Sequence, residues 1–186
     1  MIQIIDFFYP ENNSLKKTLI SHSESVCRKA LEIAENSGIA LDLQLVQEGA
    51  MLHDIGIFKC NAPGIFCNGA APYISHGIIG GKLLREYGAL HGIDLEKHAG
   101  ICENHTGSGL STDDIKRGRL PLPERDFLPV TPEEKLVCLA DKFFSKSHPE
   151  HEKNIEEIRS SMKKFHPDTL ARFDELCRFF HIIPEI

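Results

Sequence analysis

Six histidine and aspartate residues lie at inward-facing positions of helices that the sequence predicts. Burying an ionised carboxylate without a partner costs several kcal/mol or more. Carboxylate and imidazole groups that share one cavity are best satisfied by a cation between them. The candidate metal ligands are His22, His53, Asp54, His76, His105 and Asp141.

The ligand types narrow the choice of metal. Neutral imidazole and carboxylate together suit iron, manganese, zinc or nickel, and magnesium fits less well because it prefers oxygen ligands. We therefore expect one or two divalent transition metals. Such ions lower the pKa of bound water and bind phosphoryl oxygens as a bond breaks, so metal-activated hydroxide could cleave a phosphoester or phosphoanhydride.

A single inward histidine is more often a hydrogen-bonded core residue than a ligand. The set differs because five predicted helices each contribute an inward histidine or aspartate, which core polarity alone does not explain. His98 shares a stripe with His105, but its position earlier on that helix suits a core partner better than a ligand.

The elements that must position these side chains are predicted to be helices. Apolar residues recur every three or four positions almost throughout, and no run alternates as a strand would. Asn13 or Ser14 can cap the first helix and Gly38 can end it, while Thr131-Pro132-Glu133-Glu134 begins the helix that carries Asp141. The sequence predicts an all-α bundle with helices near 14–37, 42–54, 74–87, 94–105, 131–144, 150–165 and 167–180, and a short turn near 112–117.

The length of 186 residues favours a single domain over 1–186. We expect a core at about 14–146 and a C-terminal helical extension at about 150–183. Ser147-His148-Pro149 is too short for a flexible linker, so the extension is predicted to pack on the core as a cap. Its apolar residues fall on one side: Ile155, Ile158, Met162, Phe165, Leu170, Phe173, Leu176 and Phe180.

Charge and composition limit the partners. A net charge of −6 with scattered basic residues argues against a long nucleic acid, whereas a small phosphorylated substrate held by a metal is compatible. No stretch is apolar for long enough to cross a membrane. Without an export signal, the six cysteines are interpreted as reduced thiols of a cytoplasmic protein. The sequence does not determine the oligomeric state.

Together these residues resemble a known pattern. His22, then His53-Asp54-Ile55-Gly56, then His76, His105 and Asp141 resemble the H…HD…H…H…D pattern of the HD-domain phosphohydrolase superfamily. The four-residue stretch resembles the branch with the His-Asp-Ile-Gly signature. The resemblance covers about residues 14–146 and implies an HD-domain helical bundle around a buried metal site.

The resemblance also implies how the ligands divide. The counterparts of His22, His53, Asp54 and Asp141 hold one metal. In binuclear members, the counterpart of Asp54 bridges to a second metal held by the counterparts of His76 and His105. We therefore predict Asp54 and His53 as catalytic residues, with Asp54 accepting a proton through the attacking water.

The substrate is less closely defined. Asn104-His105-Thr106-Gly107 and Leu139-Ala140-Asp141-Lys142 resemble the binuclear branch that cleaves dinucleoside polyphosphates, which suggests a nucleotide or such a compound. Many relatives have a lysine directly after the signature, but here Ile57 follows it and the nearest base is Lys59.

Two loops, 58–75 and 106–129, are predicted to cover the metal mouth. We expect substrate contacts from Lys59, Arg119 and Arg125, with solvated loop charges as the alternative.

Two other functions fit the same ligands. A diiron oxygenase on the same fold would keep the metals and change the reaction. A regulatory binding module would keep a metal for structure, but six candidate ligands exceed the four that a structural site needs.

Overall fold

The computed structural model describes residues 1–182, and this part of the chain forms nine α-helices and one small hairpin. The hairpin pairs β1 (Asn61–Ala62) with β2 (Cys67–Asn68) in antiparallel register between the third and fourth helices. The predicted all-α architecture is confirmed. The helices are α1 (Ile2–Phe8), α2 (Ser14–Ser37), α3 (Leu43–Leu52), α4 (His76–His91), α5 (Glu96–Asn104), α6 (Thr112–Gly118), α7 (Pro132–Asp141), α8 (Ile155–Met162) and α9 (Pro167–Phe179).

Local capping determines several helix ends. The Asn13 side chain accepts a hydrogen bond from the Lys16 backbone N–H at 3.0 Å, and Gly38 ends α2 in the left-handed region at φ 65°. The Thr131 side chain caps α7 in the same way, and Pro132 occupies its first turn. These ends confirm the sequence prediction. Helix α1 was not predicted, and it buries Ile4 and Ile5.

The helices that carry the candidate ligands pack directly on one another. Helix α2 contacts α3 and α7, α3 contacts α5, and α4 lies against α5. Gly56 allows one close approach, because a Cβ there would overlap the backbone carbonyl oxygen of His76 and the backbone nitrogen of Gly80. The glycine of the signature therefore brings the start of α4 against the loop that follows Asp54.

The C-terminal helices pack on the core as a cap, as predicted. Ile158, Phe173 and Leu176 are buried in the same apolar cluster as residues of α2, α3 and α7. Phe165 is an exception, since α8 ends at Met162 and the following turn leaves the Phe165 side chain 68% exposed. The predicted helix from Glu150 also begins later, at Ile155, where the Asn154 side chain completes a capping box.

Three further expectations concern the whole chain. The single domain over 1–186 stays a prediction, and the end of the predicted extension at position 183 lies outside the described residues. Within residues 1–182, no helix combines the length and the apolar character needed to cross a bilayer. All six cysteines lie in this part and are free thiols.

Candidate metal centre

Five helices deliver their histidine and aspartate side chains to one buried place. His22 lies within α2, and Asp141 is the last residue of α7. His53 directly follows α3, His105 directly follows α5, and His76 begins α4. Their ligand atoms form two groups that share Asp54, and within each group these atoms lie within 4.8 Å of one another. The groups are His22, His53, Asp54 and Asp141, and Asp54, His76 and His105.

The first group is compact. His22 Nε2 lies 2.9 Å from Asp141 Oδ1 and 3.3 Å from Asp54 Oδ2. His53 Nε2 lies 3.1 Å from the same Asp54 oxygen and 3.5 Å from Asp141 Oδ1. Two imidazole nitrogens and two carboxylate oxygens therefore face one point.

The second group uses the other oxygen of Asp54. Asp54 Oδ1 lies 3.3 Å from His76 Nε2 and 3.5 Å from His105 Nε2. The two histidine nitrogens are 3.0 Å apart. Asp54 thus directs one carboxylate oxygen to each group, which is the arrangement that a bridging ligand requires.

Backbone carbonyls orient three of the four histidines. His53 Nδ1–H donates to the Ala50 carbonyl at 2.6 Å, His76 Nδ1–H to Tyr73 at 2.7 Å, and His105 Nδ1–H to Cys102 at 2.7 Å. Each acceptor precedes its histidine by three residues, at a helix or 3₁₀ terminus where carbonyls lack helical partners. The bonds place the Nδ1 proton and leave the Nε2 lone pair facing the groups of ligands.

The donor set fits divalent metals. With protons on Nδ1, His76 and His105 point two lone pairs at each other across 3.0 Å, which is repulsive unless a cation accepts both. Among the described residues, His53 Nε2 and Asp54 Oδ1 are buried without a hydrogen-bond partner. Unpartnered buried polar atoms are costly, and a bound metal would satisfy them.

The charges agree with a cation site. Burial raises the pKa of Asp54, but His53 and Lys146 outweigh it and hold that pKa well below its usual range. Burial likewise raises the pKa of Asp141, but Lys142 and His22 outweigh it and hold that pKa well below its usual range. Burial lowers the pKa of His53, but the two carboxylates raise it to about 9, so they attract a positive charge to this point.

The loop after Asp54 is held by a residue outside the groups. The Tyr9 hydroxyl donates to the Ile55 carbonyl at 3.0 Å and accepts from the Phe58 backbone N–H at 3.3 Å. Tyr9 is buried, and burial raises its pKa. Helix α1 therefore ends in a side chain that fixes the backbone of the signature.

A cavity of about 620 Å³ opens beside the first group, with His22 and Asp141 in its lining. Three lysines, whose place in the site was not predicted from the sequence, line it too: Lys142, Lys146 and Lys153. Lys146 Nζ lies 2.6 Å from Asp54 Oδ2, and Lys142 Nζ lies 2.6 Å from Asp141 Oδ2. The sequence signal for Lys142 was its position directly after the ligand Asp141, and Lys146 lies four residues further on, beyond the end of α7.

The predicted substrate-contacting residues lie elsewhere. Lys59, Arg119 and Arg125 are exposed and are not among the described residues that line the cavity. Arg125 instead pairs with Glu103 at 3.0 Å. The two predicted loops do reach the cavity, but through residues such as Ile65 and Leu110. A substrate role for the three basic residues stays a prediction.

His98 is separate from both groups. Its Nε2 lies 2.9 Å from Glu48 Oε2, in a pair between α5 and α3. This agrees with the expectation that it is a hydrogen-bonded partner of the core.

The sequence matches one known family and several known proteins. The model of a family described as HD domain matches residues 19–145. An uncharacterized protein of Methanocaldococcus jannaschii is 33% identical over 159 residues, which cover 83% of each chain. A tRNA (cytidine(56)-2'-O)-methyltransferase of Picrophilus torridus is 35% identical over 127 residues, or 68% of this chain and 31% of that protein. The chain thus spans only about a third of that methyltransferase.

A solved structure shares the fold. The HD domain of the phosphodiesterase PgpH of L. monocytogenes, in complex with cyclic-di-AMP, superimposes with a TM-score of 0.50. The match covers 100% of this chain and 97% of that one at 17% identity. At this identity the likeness shows the fold alone.

Proposed function

The chain belongs to the HD domain family, and we propose that it is a metal-dependent phosphohydrolase acting on a phosphoester or phosphoanhydride of a small molecule. The observation that carries this proposal is the pair of ligand groups sharing Asp54 beside a cavity lined by three lysines. Carboxylates and imidazoles suit divalent metals, and lysines suit phosphate.

The proposed ligands divide as the geometry suggests. His22, His53, Asp54 and Asp141 would hold one ion, and Asp54, His76 and His105 would hold a second. Iron, manganese, zinc and nickel suit this donor set. When bound, such ions supply an activated water at neutral pH and stabilise charge on phosphoryl oxygens. Asp54 and His53 are the proposed catalytic residues.

The lysines would guide the phosphate. Lys146 is almost buried, its ammonium contacts Asp54, and its Nζ lies 5.8 Å from the centre of the Tyr73 ring. Burial lowers the pKa of Lys146, but Asp54 opposes this and the net shift is upward, so the side chain stays charged. A charged donor that is largely buried binds a phosphoryl oxygen more strongly than one fully surrounded by water.

The substrate class is proposed to be a nucleotide or a related small phosphate. The solved HD domain of PgpH binds cyclic-di-AMP, and the stretches around His105 and Asp141 resemble enzymes that cleave dinucleoside polyphosphates. Both point to small nucleotides rather than long nucleic acids.

A compound panel tests the proposal. Protein loaded in turn with manganese, iron, cobalt and nickel should release phosphate or a nucleotide from at least one member of a panel of nucleotides, cyclic dinucleotides and dinucleoside polyphosphates. His105→Gln should abolish the release, whereas His98→Gln, outside the groups, should retain it. If protein with two metals per chain is inactive on the whole panel, the proposal is wrong.

The alternatives give different results. A diiron oxygenase would consume oxygen with its substrate, contain two irons and release no phosphate. A regulatory module would melt on chelation and turn over nothing in its metal-loaded form. The three lysines in the cavity favour phosphate chemistry over both.

A further inference from the structure

The lining of the cavity beside the ligand groups contains two chemically different sets of residues. His22, Asp141 and the three lysines form a charged set. The second set, here called the C-terminal wall, comes from α8, α9 and the turn between them, and its residues carry no charge: Ile158, Ser161, Met162, Phe165 and Thr169. The Ser161 hydroxyl already donates to the Ile158 carbonyl of its own helix at 2.7 Å. This wall therefore offers a substrate mainly apolar surface.

Phe165 is the most unusual part of this wall. It is 68% exposed, although Ile158 and Met162 beside it on the wall are 1% and 5% exposed. A single exposed apolar side chain is common on a protein surface, but Phe165 lines the same cavity as Met162 and Ile158, and an apolar patch in a cavity is a surface that a ligand can cover. The volume of about 620 Å³ is well above that of a phosphate group, so the cavity has room for an organic body against this wall.

We infer that the substrate carries an apolar or aromatic body next to its phosphate, and that Met162 and Phe165 form the subsite for that body. The inference rests on the proposed function and adds to it the kind of substrate that the site would select. A sugar phosphate would bind less well, because its hydroxyls would lose water and meet few partners on this wall. The C-terminal helices thus select the substrate, while the core holds the metals.

Binding of two phosphonates to the metal-loaded full chain tests the inference without turnover. Naphthylphosphonate and methylphosphonate present the same charged group with and without an aromatic body. Isothermal titration calorimetry should show naphthylphosphonate binding at least about tenfold more tightly, since its rings bury apolar surface.

Two matched variants locate the subsite. Phe165→Ser should weaken naphthylphosphonate binding about fivefold and leave methylphosphonate unchanged, because the lost surface contacts only the rings. Phe179→Ser is the control, since Phe179 is also partly exposed in the C-terminal region but lines a different cavity. It should change neither affinity. Both side chains are exposed, so both variants should fold.

The outcomes separate this inference from the proposed function. Equal affinity for the two phosphonates, or equal losses in Phe165→Ser and Phe179→Ser, would overturn the apolar subsite while phosphate release from other compounds could stand. If neither phosphonate binds the metal-loaded protein, the result would count against the phosphohydrolase and the subsite together.

Discussion

Two regions of this molecule differ in what their helices bury: one buries charged and polar side chains, and the other buries apolar side chains. Where α2, α3, α5 and α7 meet, the interior holds ionised carboxylates and imidazoles, and Asp54 Oδ1 has no hydrogen-bond partner among the described residues. Where α9 packs on α7 and α8 packs on α9, the interior is apolar, with Phe173 and Leu176 buried. The first region gives up stability for a binding site, and the second contributes stability and one wall of the cavity.

The largest expected effect comes from breaking the shared ligand. Asp54→Asn should lose metal from both groups and lower kcat/KM by about a thousandfold or more, because one side chain serves both. Metal analysis and phosphate release measure this, and circular dichroism checks the fold. Asp113→Asn, an exposed carboxylate on α6, is the control. Retention of two metals by Asp54→Asn would show that Asp54 is no bridge.

Substitutions in the apolar region should lower the stability of the fold and leave metal binding unchanged. Phe173→Ala removes a fully buried ring, so the free energy of unfolding should fall by about 3–5 kcal/mol. Denaturant unfolding measures the loss, and the fraction that remains folded should keep its metals. Phe179→Ala, at a partly exposed position, should cost less than about 1 kcal/mol. Equal losses in the two variants would contradict the assignment of Phe173 to the core.

The lysines that line the cavity should affect the binding and turnover of the substrate. Lys146→Ala should lower kcat/KM by about 10- to 100-fold through loss of a charge-assisted hydrogen bond to phosphate. Steady-state kinetics with the best compound of the panel measures it. Lys163→Ala removes an exposed lysine from the turn after α8 and should match the wild type. If Lys146→Ala retained full kcat/KM, Lys146 would be only a partner of Asp54.

A smaller loss of stability than that of Phe173→Ala is expected at the contact that joins α9 to α6 and to the loop before α6. Arg172 Nη2 on α9 lies 2.6 Å from Asp114 Oδ2 and donates to the Gly109 carbonyl at 3.2 Å, in the loop that reaches the cavity. Arg172→Ala should lower the free energy of unfolding by about 1.5–3 kcal/mol, because Asp114 is largely buried. Arg117→Ala, at a more exposed side chain, should cost about 1 kcal/mol or less. Chemical denaturation compares the two, and equal costs would show that Arg172 does not fasten the cap.

Part of this architecture was predictable because its signals are local. Asn13, Gly38 and Thr131 mark helix ends through groups within a few residues of one another, and the structure confirms them. Inward histidines could be found since helical periodicity places them on an apolar stripe. Helix α1 was missed because it spans only seven residues and has no side-chain cap.

The positions of the basic residues relative to the cavity were not predictable from local signals. Both predicted loops reach the cavity, yet Lys59 and Arg125 do not line it. The lysines that contact the carboxylates are Lys142 and Lys146. A surface lysine and a cavity lysine look alike in a sequence, because the difference is set by which distant helix packs over each.

The sequence by itself determined the helical class, the inward histidines and aspartates and the family resemblance, because periodicity and short motifs are properties of neighbouring residues. Only the tertiary structure decided that Asp54 faces two groups with different oxygens, that three histidines are oriented by backbone carbonyls, and that the cap supplies an apolar wall. The physical reason is that these relations depend on the packing of helices far apart along the chain, which no local pattern encodes.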